Sequence, residues 1–236
     1  MDIHYGIALD QALTWINSNY ISTGIIVSGS IIRGNPDKHS DFDIFVIHNN
    51  LFRQRVQKIF NEVPFEIFVN NIEQVYKYFE SELANNRPVS ANMIATGQLY
   101  KGRDNPSILT LIDDAKKYVL LSKPLTDEQL TFRKYTIANL FEDATDIYAT
   151  DETTTLYILD KIVIDIIDFI FSSKQQPLPR LKDRIKTILE LDNAIGLSIT
   201  KYYSEKTIEQ KYELTKQMVL GLTGATGFFE WSTAPE

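Results

Sequence analysis

Cysteine is absent from the 236 residues. That excludes a disulfide framework, a thiol nucleophile and thiolate metal ligands, and it fits a reducing compartment. Basic charge is also scarce: 24 Lys and Arg stand against 31 Asp and Glu, a formal net charge of −7 with a pI near 5.1. Such a balance argues against DNA or RNA as the main partner, because that binding is driven by Lys and Arg neutralising phosphates. A small ligand that brings its own cations suits the chain better. No uninterrupted apolar run approaches the length of a membrane span, and the opening MDIHYGIALDQ has neither a basic nor an apolar leader region. The expectation is a cytoplasmic protein with no nucleic-acid or membrane partner.

What is present is an ordinary globular composition, 44% hydrophobic and 23% charged, enough for one large domain or two small ones with their own cores. The first half mixes two periodicities. Ile7, Leu9, Leu13 and Ile16 predict a helix over 3–19. GIIVSG, DFDIFVI and VPFEIFVN read as strands, LFRQRVQKIFN as an amphipathic helix, IEQVYKYFESELA as another helix and MIATGQLYKG as a short extended piece. After Ser107 the strands stop. Thr126 caps a helix whose stripe is Leu130, Ile137, Leu140, Phe141, Ala144 and Ile147. A second carries Leu159, Ile162, Val163, Ile166, Ile167 and Ile170 until Pro177 and Pro179 break it. Further helices are expected from Leu181 to about Asp192 and through TIEQKYELTKQMVLGL. The expected class is α+β: a mixed sheet with flanking helices over 1–118, then a helical bundle over 119–236.

Chemistry concentrates in VSGSIIRGNPDKHSDFDIFVIHN. Strand side chains alternate between faces, so Asp41 and Asp43 share one face while Phe42, Ile44 and Val46 take the other. Two carboxylates so close repel and lose hydration near a core, a cost that a cation between them removes. A hard divalent ion such as Mg²⁺ is what oxygen ligands of this kind hold. Upstream, Gly29 and Ser30 follow a strand and precede IIRG, read as a first helical turn whose N–H groups, with the Ser30 hydroxyl, can receive a phosphate. Arg33 either contacts phosphate or caps a surface turn. Glu66 lies on the strand face opposite Val63, Phe65, Ile67 and Val69, and needs a partner or a wet cleft. If its strand pairs beside that of Asp41 and Asp43, Glu66 either completes a metal site or acts as a general base. His4, His39 and His48 show no ligand spacing and read as surface or loop residues, with His39 near enough to line the cleft.

Gly29-Ser30, Arg33-Gly34, Ser40-Asp41-Phe42-Asp43 and a third acid on a following strand resemble the DNA polymerase β-type nucleotidyltransferase superfamily. The similarity is to its small bacterial members, the aminoglycoside nucleotidyltransferases and minimal nucleotidyltransferases. It covers Gly29 to Glu66, and ATGQLYKG is a softer match to the segment that closes such domains. The resemblance implies transfer of a nucleoside monophosphate, usually from ATP, to an acceptor hydroxyl with release of pyrophosphate. It implies Mg²⁺ on Asp41 and Asp43, the triphosphate on Gly29 and Ser30 with Arg33 and Ser40 beside it, and Glu66 as metal ligand or base.

A small-molecule acceptor is the leading expectation, because the chain supplies its own helical half. An aminoglycoside-like compound would suit the acidic stretches, Asp165 and Asp168 with Lys161 on one helix and Glu142, Asp143 and Asp146 on another. A solvated helix face is the plainer reading of those charges. The alternatives are an antitoxin-like protein that adenylylates a partner protein, and a non-catalytic nucleotide-binding module. A homodimer sharing the acceptor pocket is compatible with all of these.

Overall fold

In the computed structural model, residues 2–233 are described, and the chain divides into two compact units, Met1–Leu121 and Ser122–Glu236. The first contains α1 (Ile3–Asn19), β1 (Gly24–Ser28), β2 (Phe42–Ile47), β3 (Gln54–Phe60), β4 (Val63–Asn70), α2 (Ile72–Ala84), α3 (Val89–Thr96), β5 (Gln98–Lys101) and α4 (Pro106–Leu120). Its sheet has the order β3-β4-β2-β1-β5. β2 and β4 run parallel, and the other neighbours are antiparallel.

The alternation of the strands sorts the sheet into two cores. Ile25, Val27, Ile44, Val46, Phe65, Ile67 and Val69 pack with Ala8, Leu9, Ala12 and Ile16 of α1. Ile26, Phe45 and Ile47 pack with residues of α2, α3 and α4, including Phe79, Ile94 and Leu111. The central strands are therefore covered on both faces, and so read as near-continuous apolar runs interrupted only where a polar residue has another use.

The segment read as an amphipathic helix, LFRQRVQKIFN, is largely the edge strand β3, paired antiparallel with β4. Val56 and Phe60 pack against the α1-side core, whereas Arg55 and Gln57 project from the opposite face to bond Glu66. Asn61 and Glu62, at φ 45° and 64°, close the hairpin between Phe60 and Val63. Two successive positive φ values in a two-residue loop suit Asn at the first position and glycine at the second. Glu62→Gly is expected to stabilise the protein by about 1 kcal/mol, because the left-handed region costs a residue with a Cβ that much or more; a denaturant midpoint that falls instead would contradict this account of the turn. MIATGQLYKG likewise divides into the end of α3 and the short strand β5.

The second unit contains α5 (Asp127–Ile147), α6 (Glu152–Ser173), α7 (Leu181–Leu191), α8 (Asn193–Ser204) and α9 (Ile208–Thr223). Thr126 and Gln129 form a reciprocal capping box at the start of α5, satisfying backbone donors that a helix N-terminus leaves open. The expected stripe of α6 is buried throughout and packs with Ile137, Phe141, Ile188, Ile199 and Val219. α8 was not expected. Asp192 ends α7 and caps α8, and Gly196 sits so close to α7 that a Cβ would meet Leu189 Cα at 2.7 Å. The tail docks on this unit: Phe229 packs on its core, and the Trp231 ring lies 5.6 Å from Tyr135 and 5.8 Å from Phe132.

The acidic face of α6 is internally paired. Lys161 bonds Asp165, and Arg184 of α7 reaches Asp168 at 2.8 Å. No helix among the described residues is long and apolar enough to cross a membrane.

Candidate functional site

One row of residues crosses four strands on a single face of the first sheet. Ser28 of β1 pairs with Asp43 of β2, Asp43 with Glu66 of β4, and Glu66 with Gln57 of β3. Directly opposed residues point to the same face with Cβ atoms about 4.5–5.5 Å apart. Pleat and register together therefore bring Asp43 and Glu66, distant in sequence, to one place. On the same face Phe45 stacks on Phe68 at 5.0 Å, while Phe42 and Phe65 stack at 4.8 Å within the α1-side core. Stacked aromatic pairs on both faces fix the β2–β4 register, in which a one-residue slip would send every side chain to the wrong side.

Asp41 lies one residue before β2. Its carboxyl is raised above the ordinary range by burial and by the charges of Glu66 and Asp37. Asp43 is pushed from 3.8 to about 7 by burial, then by Asp41 and Glu66, with Arg33 and Arg55 opposing. Glu66 leans to the other side. Arg55 Nη2 donates to both of its oxygens at 2.8 and 2.7 Å, and Gln57 Nε2 donates to Oε1 at 2.6 Å.

The loop between β1 and β2 is drawn tight over this row. Gly29 has φ +111°, and a Cβ there would stand 2.7 Å from the Asp41 carbonyl oxygen. Residues 30–34 form one turn rather than the expected start of a helix: Arg33 N–H donates to Gly29 O, Gly34 N–H to Ile31 O and Asn35 N–H to Ser30 O, and Gly34 at φ +79° ends it. The hydroxyls of Ser30 and Ser40 meet at 2.6 Å, and Ser40 Oγ also accepts from the Asp37 N–H at 2.8 Å. Ser30 and Ser40 thus tie the two ends of the loop together. Arg33 is exposed yet near enough to act on Asp43.

His48, expected at the surface, is 2% exposed. It accepts from the Asn50 N–H through Nδ1 at 3.0 Å and packs on Phe52, ring centroids 4.4 Å apart, and burial pushes its imidazole below 6.5. His39 is exposed, and His4 bonds Asn61 beyond α1. A cavity of about 310 Å³ opens in the second unit beside Leu125, Phe132 and Trp231, and it contains none of the residues above.

No group of three or more His, Cys, Asp or Glu side chains arranged to hold a metal ion is present among the described residues. The donor set nevertheless fits Mg²⁺, which is held by one or two carboxylates plus substrate phosphates rather than by an all-protein cage. Asp43, raised to about 7 beside other carboxylates, is a group whose ionised form a cation would favour.

Residues 9–89 match the model of the nucleotidyltransferase domain family. That match lies within the first unit and supports its kinship with the DNA polymerase β-type nucleotidyltransferase superfamily. A solved structure described as a nucleotidyltransferase-like protein from Exiguobacterium sibiricum superposes with a TM-score of 0.55 at 11% identity, over 94% of this chain and 75% of that one. At that identity the likeness speaks for the fold. No curated protein matches the sequence. Asp41, Asp43 and Glu66 fall within the matched residues 9–89. Sequence patterning missed Ser28, Arg55 and Gln57 as neighbours of those carboxylates, and cross-strand register was the only signal for them.

Proposed function

We propose that the chain transfers a nucleoside monophosphate, AMP from ATP in the leading case, to a hydroxyl of a small-molecule acceptor. The observation that carries this reading is the register that sets Glu66 beside Asp43, with Asp41 one residue before the strand. Asp41 and Asp43 would hold Mg²⁺, whose contribution when bound is to neutralise charge on the phosphates. Gly29 lets the backbone run close beside Asp41, and Ser30 and Arg33 stand at the phosphate side of the loop. Glu66 takes the part of general base: it removes the acceptor's proton as that oxygen bonds the α-phosphorus and the bond to pyrophosphate breaks. Its lean toward Arg55 and Gln57, away from β2, speaks against the part of a metal ligand, and those donors must release an oxygen before it takes a proton. The internal pairing of Asp165 and Asp168 gives no support to a polycationic acceptor over other hydroxyl compounds.

The test is transfer of label from α-labelled ATP to hydroxyl compounds with Mg²⁺ present. Glu66→Gln is expected to keep nucleotide binding and to lose about 10²–10⁴-fold in transfer, the range of a general base. Label recovered on a protein would replace the small acceptor by a protein one. Equal loss of binding and transfer would return Glu66 to the metal.

A further inference from the structure

Ser28 is polar, wholly buried at 0% exposure, and its Oγ has no hydrogen-bond partner among the described residues. A buried hydroxyl left unsatisfied costs stability, and in a native structure such a group calls for a reason. Its surroundings narrow the reason. It ends β1 on the face of Ile26, which packs with Ala91 and Ile94 of α3, and no part of it reaches solvent. Directly across from it on β2 is Asp43, within the reach of opposed side chains. A hydroxyl so enclosed is closed to direct contact with a soluble phosphate, whereas a carboxylate one strand away can turn to it.

We propose that Ser28 is a positioning residue, whose hydroxyl donates to the Asp43 carboxylate when the nucleotide site is loaded and so aims the other carboxylate oxygen at the cation. The free protein bears the unmade hydrogen bond as a cost, and the loaded protein makes it. Partners that orient a ligating carboxylate typically change metal affinity by about 10–100-fold when removed. The inference rests on the proposed nucleotide site.

The test is Ser28→Ala, followed by two readouts. Binding of Mn²⁺·ATP, measured by the electron paramagnetic resonance of bound Mn²⁺, is expected to weaken about 10–100-fold. The melting temperature of the metal-free protein is expected to stay level or to rise by about 2–4 °C, because an unsatisfied buried group has gone. Weakened Mn²⁺·ATP binding with no loss of melting temperature is what a merely structural serine cannot give. Unchanged Mn²⁺·ATP affinity in the variant overturns the role of Ser28 and leaves the nucleotide site standing. A lowered melting temperature with lowered affinity overturns it also, as a packing role. A wild-type protein that binds no Mn²⁺·ATP overturns the nucleotide site itself and this inference with it.

Discussion

Asp43→Asn is expected to abolish Mg²⁺-dependent nucleotide binding and, at the same time, to make the metal-free protein more stable at about pH 8. The sign follows from the titration of the native state. Asp43 ionises near 3.8 in an unfolded chain and near 7 in the fold, driven by burial and by the Asp41 and Glu66 charges. Between those values the native state holds a proton that the unfolded state has lost. Stability is therefore fullest below the unfolded value, falls as pH rises from about 4 to about 7, and levels off above. The amount at stake is on the order of 2–4 kcal/mol, since a tenfold change in proton affinity is worth about 1.4 kcal/mol. Asparagine carries no charge and removes the loss. Thermal denaturation of the wild type and the variant across this pH range measures the effect. His48 titrates in the opposite sense, its stabilising neutral form being lost as pH falls through 6.5 and below, but it is common to both proteins and cancels in the difference. A variant less stable than the wild type at the alkaline end would show that Asp43 is not held against the charges of its neighbours.

Gly29→Ala is expected to destabilise the protein by about 2–4 kcal/mol and to remove nucleotide binding even where the variant stays folded. Two effects add. At φ +111° an L side chain is strained, and the new methyl would stand 2.7 Å from the Asp41 carbonyl oxygen. That oxygen is backbone, and β2, whose first residue follows directly, is locked by its ladders to β1 and β4. Relief must come from displacement of Asp41 or of the turn beyond Gly29. Gly34→Ala is the control. It has φ +79° with open space around it, so it carries the backbone strain without the collision and should cost only about 1–2 kcal/mol. Equal effects on nucleotide binding at the two positions would mean that the approach of Gly29 to Asp41 has no bearing on the site.

Much of the fold was legible because the residues obey one periodicity at a time. β1, β2 and β4 are β-branched or aromatic runs, and α5 and α6 have long apolar stripes, the first with Thr126 as its cap. β3 was not legible. Phe52, Val56, Ile59 and Phe60 also fit helical spacing, and the hairpin turn uses Asn61-Glu62 in place of a glycine. That error hid Arg55 and Gln57, which cannot be seen as neighbours of Glu66 until β3 is known to be a strand. Ser28 read only as the end of an apolar run, since nothing short of the β1–β2 register sets it against Asp43. His48 stood in a polar stretch that looked like loop, and its burial depends on Phe52 folding back over the ring. Asp41, Asp43 and Gly29 were visible because a local pattern carried them: acids at alternate positions at the mouth of a strand, after a glycine that ends another.

The most direct measurement is a calorimetric titration of the wild-type protein with ATP, with and without Mg²⁺. The account predicts saturable binding of one nucleotide that requires the cation, because Asp41, Asp43 and the triphosphate repel one another without it. Binding of equal strength in the absence of any divalent ion, or no binding of any nucleoside triphosphate under either condition, would contradict it.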